Sequence, residues 1–269
     1  MAASATTFET LIVETADRIR TITMNRPAVY NAFSDQLTYE LQDALRDAER
    51  DDEAGAIIIT GEGKAFCSGQ DLAELKEKYV PGQVRHLGED IRRRYNPIAK
   101  RIREMDKPVI AAVNGVAAGA GVGLALACDL RVASDQASFI EVFINVGLVP
   151  DTGNTFTLPR IVGLGKALEL CFTGDRISAE EALRIGLVNR VVPADTLMEE
   201  TKKLAARIVA LPARGIALTK QLLNQSFDND LIRQLEVEAA CQETASQTED
   251  HLEGVLAFIE KRKPEFKGK

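Results

Sequence analysis

The sequence predicts an α/β protein in which strand and helix units repeat over the first two thirds and a helical region completes the chain. Three observations predict it. Short runs rich in Val and Ile alternate with stretches of helical periodicity as far as Pro193. Two glycine-bearing segments, TGEGKAFCSGQDL and NGVAAGAGVGLALACD, each follow such a run and lead into a helix. Beyond Pro193 the β-branched runs stop and long periodic segments take over, which divides the chain into a core of residues 1–194, expected to carry the site, and a helical region of residues 195–269.

Taken in order, residues 10–13 and 20–24 carry the β-branched residues of strands. Residues 34–50 predict a helix. Ser34 is its cap, and Leu37, Leu41 and Leu45 recur at four-residue spacing on one face. Residues 56–60 are apolar apart from a final Thr, as a strand covered on both faces requires. Residues 84–105 read as a long helix bent at Pro97, and the basic run from Arg92 to Arg94 within it is either a set of anion contacts or a solvated face. Residues 109–113 form a strand that ends in the Asn114-Gly115 turn signal, and further strands are expected at 130–133 and 188–191. The nearly uncharged stretch 108–130 is as long as a bilayer span, but it is built as strand, turn and helix, and its Gly/Ala content is weakly apolar. Helices follow at 195–210, 214–225, 229–247 and 248–262. The stripe Leu231, Leu235 and Ala239 belongs either to the chain's own core or to a face that docks on a neighbouring subunit.

Composition narrows the function. The chain has 269 residues, 45% hydrophobic and 27% charged, and no low-complexity tract, which fits a folded soluble protein with its own core. A net charge of −7 argues against a nucleic-acid-binding surface, where clustered Lys and Arg must neutralise phosphates. Cys67, Cys128, Cys171 and Cys241 are scattered without a CxxC pair, so neither zinc nor a disulfide framework is signalled and a reducing compartment is expected. MAASATTFET lacks the basic start and apolar stretch of a secretory signal, so a cytoplasmic location is expected. His86 and His251 stand apart from any triad or metal pattern and are expected at the surface.

Chemistry is expected where the two glycine segments pass from strand to helix. There backbone N–H groups are exposed at a positive dipole end, and two such loops together can form an oxyanion hole; the alternative is that the glycines serve only close helix packing. A dinucleotide fingerprint is incomplete, because Leu124 and Leu126 sit where a third small residue belongs and no acid follows at the ribose-binding distance. A P-loop is excluded, since no Gly-Lys-Ser/Thr sequence is present. In LVPDTGNT a single acid, Asp151, lies between Pro150 and Thr152-Gly153, and the residues alone leave it as either helix cap or catalyst.

The segments MNRPAVYNAF, GKAFCSGQDL, KPVIAAVNGVAAGAG, LACDLRVAS, LVPDTGNTFTLPRIVG, FTGDRISAEEALRIGLVNRVV and FIEKRKPEF, in this order, resemble the crotonase or enoyl-CoA hydratase/isomerase superfamily over nearly the whole chain. The resemblance implies a crotonase-like spiral of strand-strand-helix units with a helical C-terminal trimerisation region. It further implies trimers or paired trimers acting on acyl-CoA thioesters, with no metal, flavin or nicotinamide. It places the oxyanion-hole amides at Gln70 and Ala120; Asp71 is expected to cap the following helix. Ala65, Ser68, Asp71 and Leu72 in the first loop, Gly119 in the second, and Phe143 are implied to line the substrate site. Arg26 and Lys261 are implied contacts for the phosphates of coenzyme A, Lys261 from a neighbouring subunit, or else solvated charges.

Two departures from the family pattern matter more than the matches. Where hydratase relatives carry two glutamates, this sequence has Gly123 and Phe143; where isomerase branches carry an aspartate, it has Asp151. The resemblance therefore implies an isomerase in which Asp151 moves a proton while the two amides hold an enolate. YNPI at 95–98 and GVAAGAG resemble the branch that converts a ring-epoxidised phenylacetyl-CoA to its oxepin form, although Asn154 replaces a usual glycine. If residues 139–143 are extended, Glu141 shares a face with Phe143 and becomes a second acid, which would permit a hydratase; an inert acyl-CoA-binding subunit is the third alternative.

Overall fold

The computed structural model describes residues 7–78 and 86–268. Strands β1 (Leu11–Ala16) and β2 (Ile19–Met24) form an antiparallel hairpin, followed by α1 (Asp35–Arg50). Three turns of a spiral then each add two strands before a helical segment. They comprise β3 (Ala56–Gly61) and β4 (Ala65–Cys67), with α2 (Leu72–Lys78), α3 (Leu87–Arg94) and α4 (Asn96–Glu104); β5 (Val109–Val113) and β6 (Val116–Ala118), with α5 (Ala120–Ala127); and β7 (Leu130–Ser134) and β8 (Ser138–Ile140), with α6 (Asn154–Val162) and α7 (Leu164–Thr173). The first strand of each turn joins one sheet of order β1-β2-β3-β5-β7-β10, and the second joins another of order β4-β6-β8-β9, with β9 (Arg176–Ser178), α8 (Ala179–Arg184) and β10 (Arg190–Val192) closing the core. This is the crotonase fold.

The period-2 alternation of strand side chains explains why β3 and β5 are apolar throughout. Ile57, Ile59, Val109 and Ala111 face a core shared with Leu37, Leu41 and Leu45 of α1. Ala56, Ile58, Ile110 and Ala112 face a second core, closed by Leu197 and Ala205 of α9 (Leu197–Val209). Ser34 caps α1 as expected, accepting the Leu37 N–H at 3.1 Å. The C-terminal helices α9, α10 (Ala213–Gln225), α11 (Leu231–Ser246) and α12 (Glu249–Glu260) lie where the periodicity puts them.

Four expectations are corrected. The first strand runs on to Ala16 and the last begins at Arg190, because Leu187 and Val188 are already buried in the first core before pairing starts. Residues 84 and 85 of the expected long helix lie outside the described residues, and the remainder is two helices that meet at Tyr95; Pro97 sits in the first turn of α4, where its missing N–H costs little. The extended segment ends at Ile140, and a 3-10 turn over Val142–Val146 replaces the alternation that would have put Glu141 and Phe143 on one face. Leu231, Leu235 and Ala239 are exposed, so that stripe is not part of this chain's core. The stretch 108–130 is β5, β6 and α5 running to the start of β7, and no helix among the described residues is long and apolar enough to cross a membrane.

Candidate active site

The first loop leaves β4 and meets the segment ahead of α1. Phe33 N–H donates to Gly69 O at 2.7 Å and Asp71 N–H donates to Phe33 O at 3.0 Å, a one-residue parallel bridge centred on Gln70. Such a bridge uses the groups on either side of Gln70 and turns its own N–H away from Phe33. Gly69 has φ +90°, and a Cβ there would come within 2.8 Å of Ala118 O and 3.7 Å of Ala120 N, so the two glycine loops touch at this point. Asp71 accepts the Ala73 N–H at 2.9 Å, the expected cap, and pairs with Arg26 at 2.9 Å. Burial opposes the Asp71 charge, but these hydrogen bonds outweigh it and hold the carboxyl below its ordinary range.

The second loop turns from β6 into α5 at Gly119, whose φ of +53° and ψ of −118° suit glycine alone. Gly119 N–H donates to Ile140 O at 2.9 Å, and the first helical bond runs from Gly123 N–H to Gly119 O at 3.1 Å. Ala120 is thus the first residue of a wholly buried helix, and its N–H has no acceptor within that helix. Gln70 and Ala120 thus lie on two loops that touch.

Asp151 arrives on a turn that docks on the start of α5. Asn154 Nδ2 donates to Gly119 O at 3.3 Å, and a Cβ at Gly123 would lie 2.7 Å from Thr152 Cβ, so Thr152 fills the space above Gly123. Thr152 adopts φ +55°, a left-handed conformation that a β-branched residue rarely accepts, and it is 3% exposed. The cap of α6 is Gly153, which makes no side-chain cap bond; the Asp151 carboxylate instead accepts the Thr152 hydroxyl at 2.8 Å. The helix-cap alternative for Asp151 therefore fails. Burial pushes its pKa up against the opposing Thr152 hydrogen bond.

Asp151 is itself half-buried, with buried groups nearby. Phe143 is buried beside the second loop, where a Cβ on Gly119 would come within 3.6 Å of its ring. Glu141 is also buried, neither of its oxygens has a hydrogen-bond partner, and it borders a cavity of about 10 Å³. Burial and then the charge of Asp151 push its carboxyl up to about 8. Tyr95, 4% exposed, is pushed upward by burial with a contribution from Asp151.

The contacts bring Gly69, beside Gln70 and Asp71, to Ala118 and Ala120, Phe143 to Gly119, and Thr152, next to Asp151, to Gly123; Ala65 lies on β4 and Ser68 in the loop after it, and Leu72 is exposed at the first turn of α2. Arg26 is tied to Asp71 and donates to Ala32 O. Lys261 is not brought to the junction: it ends α12, exposed, on a helix that packs against α11. His86 and His251 are exposed, and the four cysteines are free. Sequence reasoning missed Arg94 and Tyr95. Of the basic run, Arg92 and Arg93 are exposed, but Arg94 is buried and donates to Gln70 Oε1 at 3.0 Å; its acidic partner Asp35 is remote in sequence, so no local pattern signals it.

Comparison with known proteins gives the family. The model of the enoyl-CoA hydratase/isomerase family matches residues 14–269. The chain is 41% identical to the 1,2-epoxyphenylacetyl-CoA isomerase of Escherichia coli (strain K12), over 93% of this chain and 95% of that protein. It is 37% identical to the crotonyl-CoA hydratase of Syntrophomonas wolfei, over 96% and 98% of the two chains. Among solved structures, the enoyl-CoA hydratase of Bacillus anthracis superposes with a TM-score of 0.89 at 36% identity, covering 97% of this chain and all of that one. With two amide-bearing loops, an acid docked on α5 and the family pattern along nearly its full length, the chain belongs to the enoyl-CoA hydratase/isomerase family, in the crotonase superfamily.

Proposed function

We propose that this member of the family is an acyl-CoA isomerase that works with one acid. Asp151 takes a proton from the carbon beside the thioester, the electrons pass to the thioester oxygen, and the Gln70 and Ala120 N–H groups hold the resulting enolate. Collapse of the enolate with return of the proton at the far end of the double bond moves a β,γ double bond to α,β. The same enolate-stabilising site serves isomerisation of a ring epoxide. Because the negative charge on that oxygen is small in the substrate and large in the enolate, the two amides favour the transition state over the ground state.

The observation that carries the proposal is the docking of the Asp151 turn on α5, with Thr152 over Gly123 and Phe143 alongside. Apolar or absent side chains thus stand where the hydratase pattern places its two glutamates, while Asp151 is half-buried with a raised pKa, a stronger base than a solvated carboxylate. The 41% identity to a 1,2-epoxyphenylacetyl-CoA isomerase supports it. The reaction calls for no cofactor beyond the coenzyme A of the substrate, and a cytoplasmic location is part of the proposal. Exposed Leu231, Ile232, Leu235, Phe258 and Ile259 on α11 and α12 support assembly as a trimer or a pair of trimers, which would also bring in Lys261 from a neighbour.

The hydratase alternative is favoured by the buried Glu141, close enough to Asp151 to feel its charge, and by the 37% identity to a crotonyl-CoA hydratase. Incubation with a β,γ-unsaturated acyl-CoA in deuterated water separates the cases. Alkene migration that is lost in Asp151→Asn supports the isomerase, a 3-hydroxyacyl-CoA formed from an α,β-unsaturated acyl-CoA supports the hydratase, and CoA binding without turnover of any unsaturated or epoxide thioester leaves an inert binding subunit.

A further inference from the structure

The Gln70 amide, proposed as one half of the oxyanion hole, sits on a loop framed by the Phe33 bridge, and its side chain adds a second tie to the rest of the protein. That side chain is held firmly. Its Oε1 accepts both the Tyr95 hydroxyl and Arg94 Nη1, the latter at 3.0 Å. Arg94 also donates to Phe33 O at 3.3 Å, the same carbonyl that accepts the Asp71 N–H in the bridge framing Gln70. The guanidinium is fixed from behind: its Nε lies 3.0 Å from Asp35 Oδ1, an ion pair out of line for a hydrogen bond, and Glu74 lies 3.8 Å from Nη2. Glu74 in turn accepts the Asp35 N–H at 3.1 Å, so α1, α2 and the α3–α4 junction all converge on this one cation. Tyr95 is clamped as well, edge-on to the Phe33 ring with centroids 5.4 Å apart.

We propose that Arg94 and Tyr95 are positioning residues for catalysis, which aim the Gln70 backbone N–H at the thioester oxygen by gripping the Gln70 side-chain carbonyl. The Gln70 side chain is the handle, and its amide is the working group. An amide donor loses most of its value to a transition state when it swings by a fraction of an ångström or some tens of degrees, so a handle fixed by two donors, one of them charged, converts a loop amide into a rigid one. The inference rests on the proposed oxyanion role of Gln70.

Three variants test it: Tyr95→Phe, which keeps the ring against Phe33, Gln70→Met, which keeps the backbone amide and the side-chain length, and the two combined. Each single variant is expected to lower kcat for isomerisation roughly tenfold or more with little change in KM or thermal midpoint. The double variant should lose no more than either single one, because both remove the same link. A readout without turnover is the infrared stretch of the carbon-13-labelled thioester carbonyl of bound butyryl-CoA, lowered in wild type by the two amides and less lowered in the variants. Wild-type values of kcat and carbonyl stretch in Tyr95→Phe, or fully additive losses in the double variant, overturn the handle while leaving the isomerase standing. A wild-type carbonyl stretch equal to that of the free thioester overturns the oxyanion assignment and the handle together.

Discussion

Replacing Glu141 by Gln should stabilise the protein, and by more the higher the pH. The carboxyl is 4% exposed, neither oxygen has a partner, and its pKa is pushed up to about 8 from an ordinary 4.5, first by burial and then by the charge of Asp151. Above pH 4.5 the unfolded chain releases this proton, while the folded protein keeps it until about pH 8. The unfolded state therefore binds fewer protons across that window, and stability falls as pH rises through it. At about 1.4 kcal/mol per pH unit the loss is about 3 kcal/mol at pH 7 and about 5 kcal/mol above pH 8. Glutamine keeps the shape and the neutral polarity of the protonated acid but cannot ionise, so Glu141→Gln removes the loss and little else. Thermal unfolding at fixed protein concentration should give nearly equal midpoints for variant and parent at pH 4.5, with the variant higher by on the order of 10 °C at pH 8. Removal of the Asp151 charge in Asp151→Asn should lower the Glu141 pKa and narrow the window. A difference between Glu141→Gln and parent that does not change with pH would refute the reasoning.

Asp151 must be ionised to act as a base, so kcat/KM should fall as pH drops through its raised pKa, an acid limb at higher pH than an ordinary carboxylate near 3.8 would give. Thr152→Val keeps the shape but removes the hydroxyl that favours the Asp151 charge, so a pH–rate series should show that limb moved to higher pH, and an unmoved limb would detach it from Asp151. Gly123→Glu should not yield a hydratase: its Cβ would stand 2.7 Å from Thr152, and overpacking of about 1–3 kcal/mol should appear as a lower denaturant midpoint with isomerase activity reduced. Lys220 donates to Ile102 O, Lys107 O and Asp129, tying α10 to the core, and Lys220→Met would leave the half-buried Asp129 with the Val109 N–H and the charge of Arg103. A loss of about 1.5–3 kcal/mol is expected in urea unfolding, and a neutral result would show that the Val109 N–H and Arg103 suffice for Asp129.

The large sheet was legible because its strands are long enough to show a pattern: AIIIT and VIAAV are apolar on both faces, and only a doubly covered strand needs that. The small sheet was not. Its strands β4, β6, β8 and β9 are three residues each and consist of such segments as AFC and VAA, whose pairing partners lie some 20 to 50 residues away, so nothing local distinguishes them from loop. Within the site, the glycine loops could be placed from sequence, whereas the seat of Asp151 could not. It depends on Thr152 accepting a left-handed backbone and on Gly123 making room, two residues with no local relation. Glu141 shows the opposite failure. Alternation put it on a strand face, the chain turned at Val142, and the residue was buried by tertiary packing that periodicity cannot see.

The number of acids in the site is itself a physical constraint. Burial already raises Asp151, and Glu141 is held neutral to about pH 8 partly by the charge of Asp151. Glutamates added at 123 and 143 would place four carboxyl groups in one poorly solvated region, where each charge raises the pKa of the others until most remain protonated. A protonated Asp151 cannot take a proton from carbon. Under the proposed mechanism Gly123 and Phe143 are therefore more than absent hydratase groups: by keeping like charge away, and by letting Thr152 seat the turn, they let Asp151 stay ionised for its proposed role as the base. If the proposed isomerase mechanism holds, Asp151 and the two missing glutamates form a single adaptation, and installing either glutamate alone should weaken alkene migration before it creates anything else.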